Sequence, residues 1–303
     1  MTVLDLGLPF LDEPRVVVPA PDAGPGNWSG AASAVLVDGV TYLTYRVRRP
    51  LTEGRGVAVV VAASPDGVAF ETVCEVERDE FGAESFERPV VLRRPDGGWR
   101  LYLSCATPGS KHWWVEALDA DTVEELPRGR RTVTLPGDET VGVKDPVVAV
   151  DDAGGWHLWS CDHPLTDTGE EDRMSTSYHS SSDGLAWTRH GTVLSPRSGM
   201  WDARGARVTA VVSLDPLVVL YDGRPRKEDN WHERCGVATG EPGAGPASAL
   251  TSRTTQPLAS QDSDGAWRYA ATVRLPDGRL RCYAEIARPD GAHDLVTGIL
   301  TGW

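Results

Sequence analysis

The sequence predicts an all-β chain, a single five-bladed β-propeller over residues 1–303 with about four antiparallel strands per blade. Three observations predict it. Helical periodicity is nearly absent, because no long stretch carries apolar residues at i, i+3, i+4 and i+7. Short alternating or apolar runs take its place, punctuated by Asp-Gly, Pro-Asp-Gly and Gly-Gly turns. Those runs and turns recur along the whole chain.

The recurrence can be followed block by block. The first block runs from Ser33 through Tyr42 to Arg46. The second holds Arg88-Pro-Val-Val-Leu92 and then Gly98-Trp99-Arg-Leu-Tyr-Leu103. The third repeats this order as Asp145-Pro-Val-Val-Ala-Val150 and Gly155-Trp156-His-Leu-Trp159. The fourth runs from Arg207 to Val212 and from Asp215 to Arg224, and the fifth contains Asp264-Gly-Ala-Trp267-Arg-Tyr269. Tyr42, Trp99 and Trp156 stand 57 residues apart; the further steps to Val218 and Trp267 are 62 and 49. Five units of about 61 residues fill the chain. A second element recurs as Ser64-Pro-Asp-Gly-Val-Ala-Phe70 and Ser182-Asp-Gly-Leu-Ala-Trp187. It reads as an outer hairpin whose aromatic is pinned back onto the sheet. One such unit cannot bury both faces alone, whereas packing in a ring buries them and protects the edges. Either Val3 to Phe10 or the tail from Ile286 to Trp303 is expected to close the ring. The rival architecture is a long β-sandwich with coincidental turn spacing.

Composition narrows the function. A net charge of −14 argues against nucleic acid and anionic membranes as partners, since both select clustered positive charge. The N-terminus has no basic leader and no apolar run approaches a membrane span, so a soluble cytoplasmic protein is expected. Five cysteines without a CxxC pair read as free thiols. No Asp/His cluster has ligand spacing, so no metal or cofactor is assigned.

In a propeller the innermost strands begin at a common mouth. Aligning the blocks places Glu87, Asp145 and Asp202 at or near one repeat position, spaced by 58 and 57. Each has a base nearby: Arg88, Lys144 and Arg204, with Arg207 behind the last. Converging carboxylates push their pKa values apart, and such pairs cleave glycosidic bonds by protonating the leaving oxygen and activating water. Trp28, Trp113, Trp114, Trp201 and Trp231 lie beside these strand ends and offer faces for stacking on a sugar, although packing between blades is the commoner use of such rings. His112 and His163 follow second strands and offer donors to a hydroxyl or phosphate.

These segments resemble the five-bladed glycoside hydrolases of families 32, 43, 62, 68 and 130. The strand ending Leu43-Thr-Tyr-Arg46, the segment Val143-Lys-Asp-Pro-Val-Val148 and Leu220-Tyr-Asp-Gly-Arg224 look most like family 130, the mannoside phosphorylases and mannosidases. Lys144-Asp145-Pro146 and Trp201-Asp202 are also similar to family 43, the arabinofuranosidases and xylosidases. Two departures stand out. The first-blade base of family 43 is replaced by Ser33 after Gly30-Ala-Ala, and Arg88 occupies the place of the family 130 acid in Glu87-Arg88-Pro89.

The reading is a glycoside hydrolase-like enzyme on a small carbohydrate, inverting through a directly attacking water. Glu87, Asp145 and Asp202 serve as acid, base and pKa modulator in unassigned order, and Trp28, Arg46, Arg88, Trp113, Lys144, His163, Arg204 and Tyr221 bind substrate. Two alternatives stand beside it. The basic residues at the mouth suit inorganic phosphate as co-substrate, which would make a phosphorylase. The fold also serves as a catalytically inactive sugar-binding platform or scaffold.

Overall fold

A computed structural model describes residues 10–302. Among the described residues all regular structure beyond four short 3₁₀ turns is β. The first strand, β1, is Phe10–Val18. The next four are β2 Trp28–Val37, β3 Val40–Arg48, β4 Gly56–Ser64 and β5 Glu71–Glu77. They are followed by β6 Val90–Arg93, β7 Trp99–Ala106, β8 Trp113–Ala120 and β9 Arg130–Leu135. The third group is β10 Val141–Val150, β11 Trp156–Pro164, β12 Ser175–Ser181 and β13 Thr188–Leu194. The fourth is β14 Gly205–Leu214, β15 Leu217–Arg224, β16 Arg234–Thr239 and β17 Thr251–Ser252. The last strands are β18 Trp267–Arg274, β19 Leu280–Ala287 and β20 His293–Thr301.

The second, third and fourth groups are separate four-stranded antiparallel sheets. β2–β5 and β18–β20 share one sheet, joined by a single parallel pairing of Trp28 with His293. β1 pairs antiparallel with β20 and so completes the last group from the other end of the chain. The tail strand β20 thus pairs with β1 and meets β2 at Trp28; residues 3–9 of the expected closing segment lie outside the described residues.

Successive side chains on a strand point to opposite faces, and here both faces are covered. On β7, Leu101 and Leu103 enter a core shared with Val59 and Val61 of the preceding group, while Tyr102 enters one shared with Trp156 and Leu158 of the following group. On β15, Val219 and Tyr221 meet Trp159 and Tyr178, while Val218 and Leu220 meet Cys282 and Ala284. A fifth core joins Tyr283 and Leu295 to Leu43 and Val60, linking the last group to the first. This explains why the strands read as near-continuous apolar runs.

The repeated Ser-x-Asp-Gly element has a specific geometry. Asp66 Oδ1 accepts from the backbone N–H of Val68 and Ala69 at 2.8 and 2.9 Å, and Asp183 Oδ1 does the same for Leu185 and Ala186. The glycine that follows adopts φ +70° and +71° in the two copies. Its carbonyl accepts a tyrosine hydroxyl from the neighbouring group, Tyr283 onto Gly67 at 2.9 Å and Tyr102 onto Gly184 at 2.6 Å. The aromatic also meets the neighbour's tyrosine, Phe70 against Tyr283 and Trp187 against Tyr102, in cores that hold residues of its own sheet and of the neighbouring one.

The fifth block has a different register from the one its sequence suggests. Trp99 and Trp156 open second strands, but Trp267 opens the innermost strand β18. Among the described residues no helix is long and apolar enough to cross a membrane.

Candidate functional site

The innermost strands β2, β10 and β18 each carry a bulge at the same register. The residue at the bulge is left-handed in all three: Ala31 at φ +53°, Asp145 at +52° and Tyr269 at +53°. Such a conformation costs a non-glycine residue about 1–3 kcal/mol and re-aims its side chain. The bulges bring Asp145 and Tyr269 together. The Tyr269 hydroxyl lies 3.1 Å from Glu87 Oε2 and 3.3 Å from Asp145 Oδ2, and accepts from Arg207 Nη1 at 2.8 Å.

Around this centre runs a chain of buried ion pairs. Arg46 binds Glu87 and reaches Glu285 at 3.3 Å. Arg268 bridges Glu285 at 2.7 Å and Glu233 at 2.6 Å, and Arg224 holds the other oxygen of Glu233 at 2.8 Å. Arg207 pairs with Asp145 at 2.8 Å and Asp222 at 2.7 Å, its guanidinium 3.8 Å from the Tyr269 ring centroid. Gly30 makes room for part of this chain: a Cβ there would lie 2.1 Å from Glu285 Oε2. A carboxylate thus reaches the first-block position after all, but β19 supplies it.

Above the ion pairs lies a cavity of about 590 Å³. Glu87, Arg46, Lys144, Arg207, Glu233, Arg268 and Tyr269 line its depth. Trp113, Trp231, His163, His232, Arg55, Lys111 and Lys227 line its walls. Trp231 holds φ +77°, an outlier for a bulky side chain. The volume falls in the range of small-ligand sites.

Electrostatics fixes the protonation of the lining groups. Burial alone raises the pKa of Glu87, but Arg46, Lys144 and Arg55 outweigh it and hold the carboxyl well below its ordinary value. Burial likewise acts against Glu233, and Arg268, Arg207 and Arg224 overcome it. His163 is pushed well below its ordinary value by burial and then by Lys144 and Arg224, so its imidazole is neutral. Its Nε2 is buried without a hydrogen-bond partner. Asp222, behind Arg207, is raised from 3.8 to about 6, chiefly by burial.

These shifts predict the pH dependence of stability. Glu87, Glu233 and Glu285 all have depressed folded pKa values, so each adds stability above its unfolded value of 4.5 that is lost as pH falls through the folded value. Asp222 has the opposite sign and loses stability as pH rises from 3.8 to about 6. Three depressed groups outweigh one raised group. The melting temperature is expected to fall steeply below about pH 4.5. Asp222→Asn is expected to gain on the wild type as pH rises from 4 to about 6. Calorimetric scans across pH 3.5–7 check both; a flat wild-type profile removes the ion-pair account.

Of the residues expected from sequence, Glu87, Arg46, Lys144, Trp113 and His163 meet at this cavity. Asp145 is fully buried directly beneath, 3.6 Å from Lys144 Nζ. The other expectations are corrected by position. Asp202 precedes β14 and is buried in the fourth group, where Arg197 holds it at 3.0 and 2.8 Å and the Tyr221 hydroxyl donates to it at 2.7 Å. Tyr221 thereby faces Asp202 and not the cavity. Arg207, 62 residues after Asp145, holds the inner position that the spacing gives to Asp202. Trp28 is buried against His293, ring centroids 4.4 Å apart, with the Arg48 guanidinium on it at 3.9 Å. Arg204 is held by Asp172 and Glu170 at 2.7–2.9 Å and lies outside the lining. Arg88 turns away toward the far end of the inner strands. Tyr269, Arg268 and Glu233 were not singled out from sequence. A signal for Arg268 and Arg207 was present: with Lys144, they form a series of cations spaced by 63 and 61 just before or at the inner-strand irregularity.

No protein-family model matches the chain, and no curated protein does. Solved structures do match, and they define the fold as that of propeller glycoside hydrolases and phosphorylases. A thermostable family-43 glycoside hydrolase aligns with a TM-score of 0.68 at 15% identity, over 93% of this chain and 91% of that one. A structure from the family-130 mannoside phosphorylases and hydrolases that target β-1,2 mannosidic linkages in Candida mannan gives 0.66 at 15%, over 98% and 95%. The β-1,2-mannobiose phosphorylase from Listeria innocua gives 0.67 at 14%, over 94% of each chain. At these identities the likeness is one of fold.

Proposed function

We propose that this chain is a five-bladed propeller enzyme that cleaves the glycosidic bond of a small glycoside. Five four-stranded groups with five cores, the last joining the first, support the ring. The observation that carries the activity is the convergence of Glu87 and Asp145 on one phenol oxygen at the floor of a sugar-sized cavity. Glu87, held ionised and facing the cavity, is the base that takes a proton from the attacking water, and solvent water in the open cavity returns a proton to the leaving oxygen. Asp145 has no exposed surface and acts through Tyr269 and Lys144 to set the position and charge of Glu87. Glu233 supplies the second carboxylate of the cavity wall. Trp231 offers the stacking face, because one cation, Arg48 at 5.2 Å, lies against it, whereas Trp113 carries both Lys144 at 4.6 Å and Arg55 at 5.5 Å. His163 Nε2 takes a hydroxyl. Trp231→Ala is expected to raise KM about tenfold with kcat nearly unchanged, the loss of one sugar–ring contact.

A second reading has phosphate as the attacking group. It is favoured by Arg55, Lys111, Lys144 and Lys227 on the cavity walls of a chain with net charge −14. There phosphate replaces a base-activated water, and the two cavity glutamates need not share that role. The test is a panel of nitrophenyl glycosides and β-linked disaccharides with and without phosphate. Free sugar independent of phosphate supports hydrolysis, and sugar 1-phosphate supports phosphorolysis. Thermal stabilisation by sugars without any turnover would leave a binding protein.

A further inference from the structure

The inner strands line a second, open-mouthed cavity, of about 290 Å³, at their far ends. The first cavity takes early residues of these strands, such as Lys144 and Arg207; the second takes later ones, from Ser33–Val35, Val90–Leu92, Val147–Ala149, Thr209–Leu214 and Ala271–Thr272. Its walls are valine, leucine and alanine with a few hydroxyls, and they contain no carboxylate. Arg88 is the one charged residue lining it.

Arg88 is buried, with 2% of its surface exposed. Its side chain makes one hydrogen bond, from Nη2 to the Ala270 carbonyl at 3.3 Å. Nε and Nη1 are buried without a partner. The other buried arginines are all engaged: Arg46, Arg100, Arg207, Arg224 and Arg268 pair with carboxylates, and Arg48 lies between the rings of Trp28 and Trp231. Among the described residues, Arg88 alone is a buried guanidinium with neither. Burial pulls it down to about 10, and Asp145 and Asp222, both committed to Arg207, act on it only from beyond ion-pair distance. A guanidinium is not left so unless something satisfies it.

We propose that this cavity binds a small monocarboxylate with a short apolar tail, its carboxylate on Arg88 and its tail along Val90, Val147 and Val211. One cation without a competing acid selects a monoanion. The apolar walls favour a carboxylate with a hydrocarbon tail over a bare halide, which would leave them unfilled. The site lies away from the first cavity and does not depend on the activity assigned there.

The experiment is thermal denaturation in low-salt, chloride-free buffer with butyrate, butanol or chloride, on the wild type and on Arg88→Met. Butyrate is expected to raise the wild-type Tm by about 2 °C or more, while butanol and chloride do not. Arg88→Met is expected to melt at or above the unliganded wild type, having lost an unpaired buried charge, and to ignore butyrate. Should Arg88→Met not fold, saturation-transfer NMR decides on the wild type and on Ala149→Phe, which fills the cavity. Transfer to butyrate in the wild type and its loss in Ala149→Phe uphold the site. Equal shifts from butyrate and chloride, a butyrate shift that survives Arg88→Met, or no transfer to wild-type protein overturns it.

Discussion

Replacing Glu87 with glutamine is expected to lower kcat by about 10²- to 10⁴-fold on any glycoside the wild type turns over. The amide keeps the shape and removes the charge. That charge is what the surroundings are built for: Arg46 binds it, Tyr269 donates toward it at 3.1 Å and Arg55 stands 3.7 Å away. Stability changes too, because breaking a buried pair leaves Arg46 partly uncompensated, at about 3–5 kcal/mol. Activity must therefore be read at a temperature where the variant is folded. Asp202→Asn supplies the control. Asp202 is also buried and held by an arginine, the partly exposed Arg197, but it lies outside the cavity. Asp202→Asn is expected to lose stability, by less than Glu87→Gln because water reaches Arg197, while the folded protein keeps its kcat within about twofold. Equal kinetic losses in both variants would mean that folding, not chemistry, is being measured, and would remove Glu87 from its role.

The contrast between Glu87 and Asp202 shows where sequence reasoning reaches and where it stops. The fold was legible because its signals are local. An Asp-Gly turn, an aromatic at a strand start and a strand apolar on both faces each reflect contacts within one group or to its neighbour, and all recur. The site depends on register across blocks, and register drifts with loop length. A spacing near 57 picks out Glu87 and Asp145, which meet at Tyr269, but the segment leading into β14 is longer, so 57 lands on Asp202 and 62 on Arg207. In the fifth block the Trp267 motif mimics a second strand, which hid the inner-strand positions of Arg268 and Tyr269. Glu233 comes from the segment before β16 and has no counterpart in the repeat. The bulges that aim Asp145 and Tyr269 leave no glycine as a marker, since both positions hold a left-handed backbone with a side chain despite its cost.

Arg268→Met is expected to be the most damaging single change to stability. Arg268 stands between two buried carboxylates, Glu285 at 2.7 Å and Glu233 at 2.6 Å. Removing it leaves Glu285 with Arg46 at 3.3 Å and His293 at 2.8 Å, and Glu233 with Arg224 at 2.8 Å. With the Ala31 N–H on Glu285 at 3.1 Å, four cationic or dipolar contacts then serve two acids that burial already disfavours. The expected loss is about 3–5 kcal/mol at neutral pH, or a Tm lower by about 6–15 °C. The pH dependence separates charge from packing. In the wild type both carboxyls sit below their ordinary range, and their stabilising effect is lost as pH falls. In the variant at least one is expected to rise above its unfolded value, so its contribution is favourable at low pH and is lost as pH rises through the new folded value. The gap between wild type and variant should therefore be widest near pH 7 and narrow toward pH 4.5, as the stranded acid takes up its proton. A gap that stays constant across that range would assign Arg268 to packing against Trp28 and Tyr269, at 4.7 and 5.2 Å, rather than to the ion chain. In the expected case the chain of pairs does more than fill space between the inner strands: it fixes Glu87 and Glu233 as anions before any ligand arrives, so the cavity meets a ligand with its charges already in place.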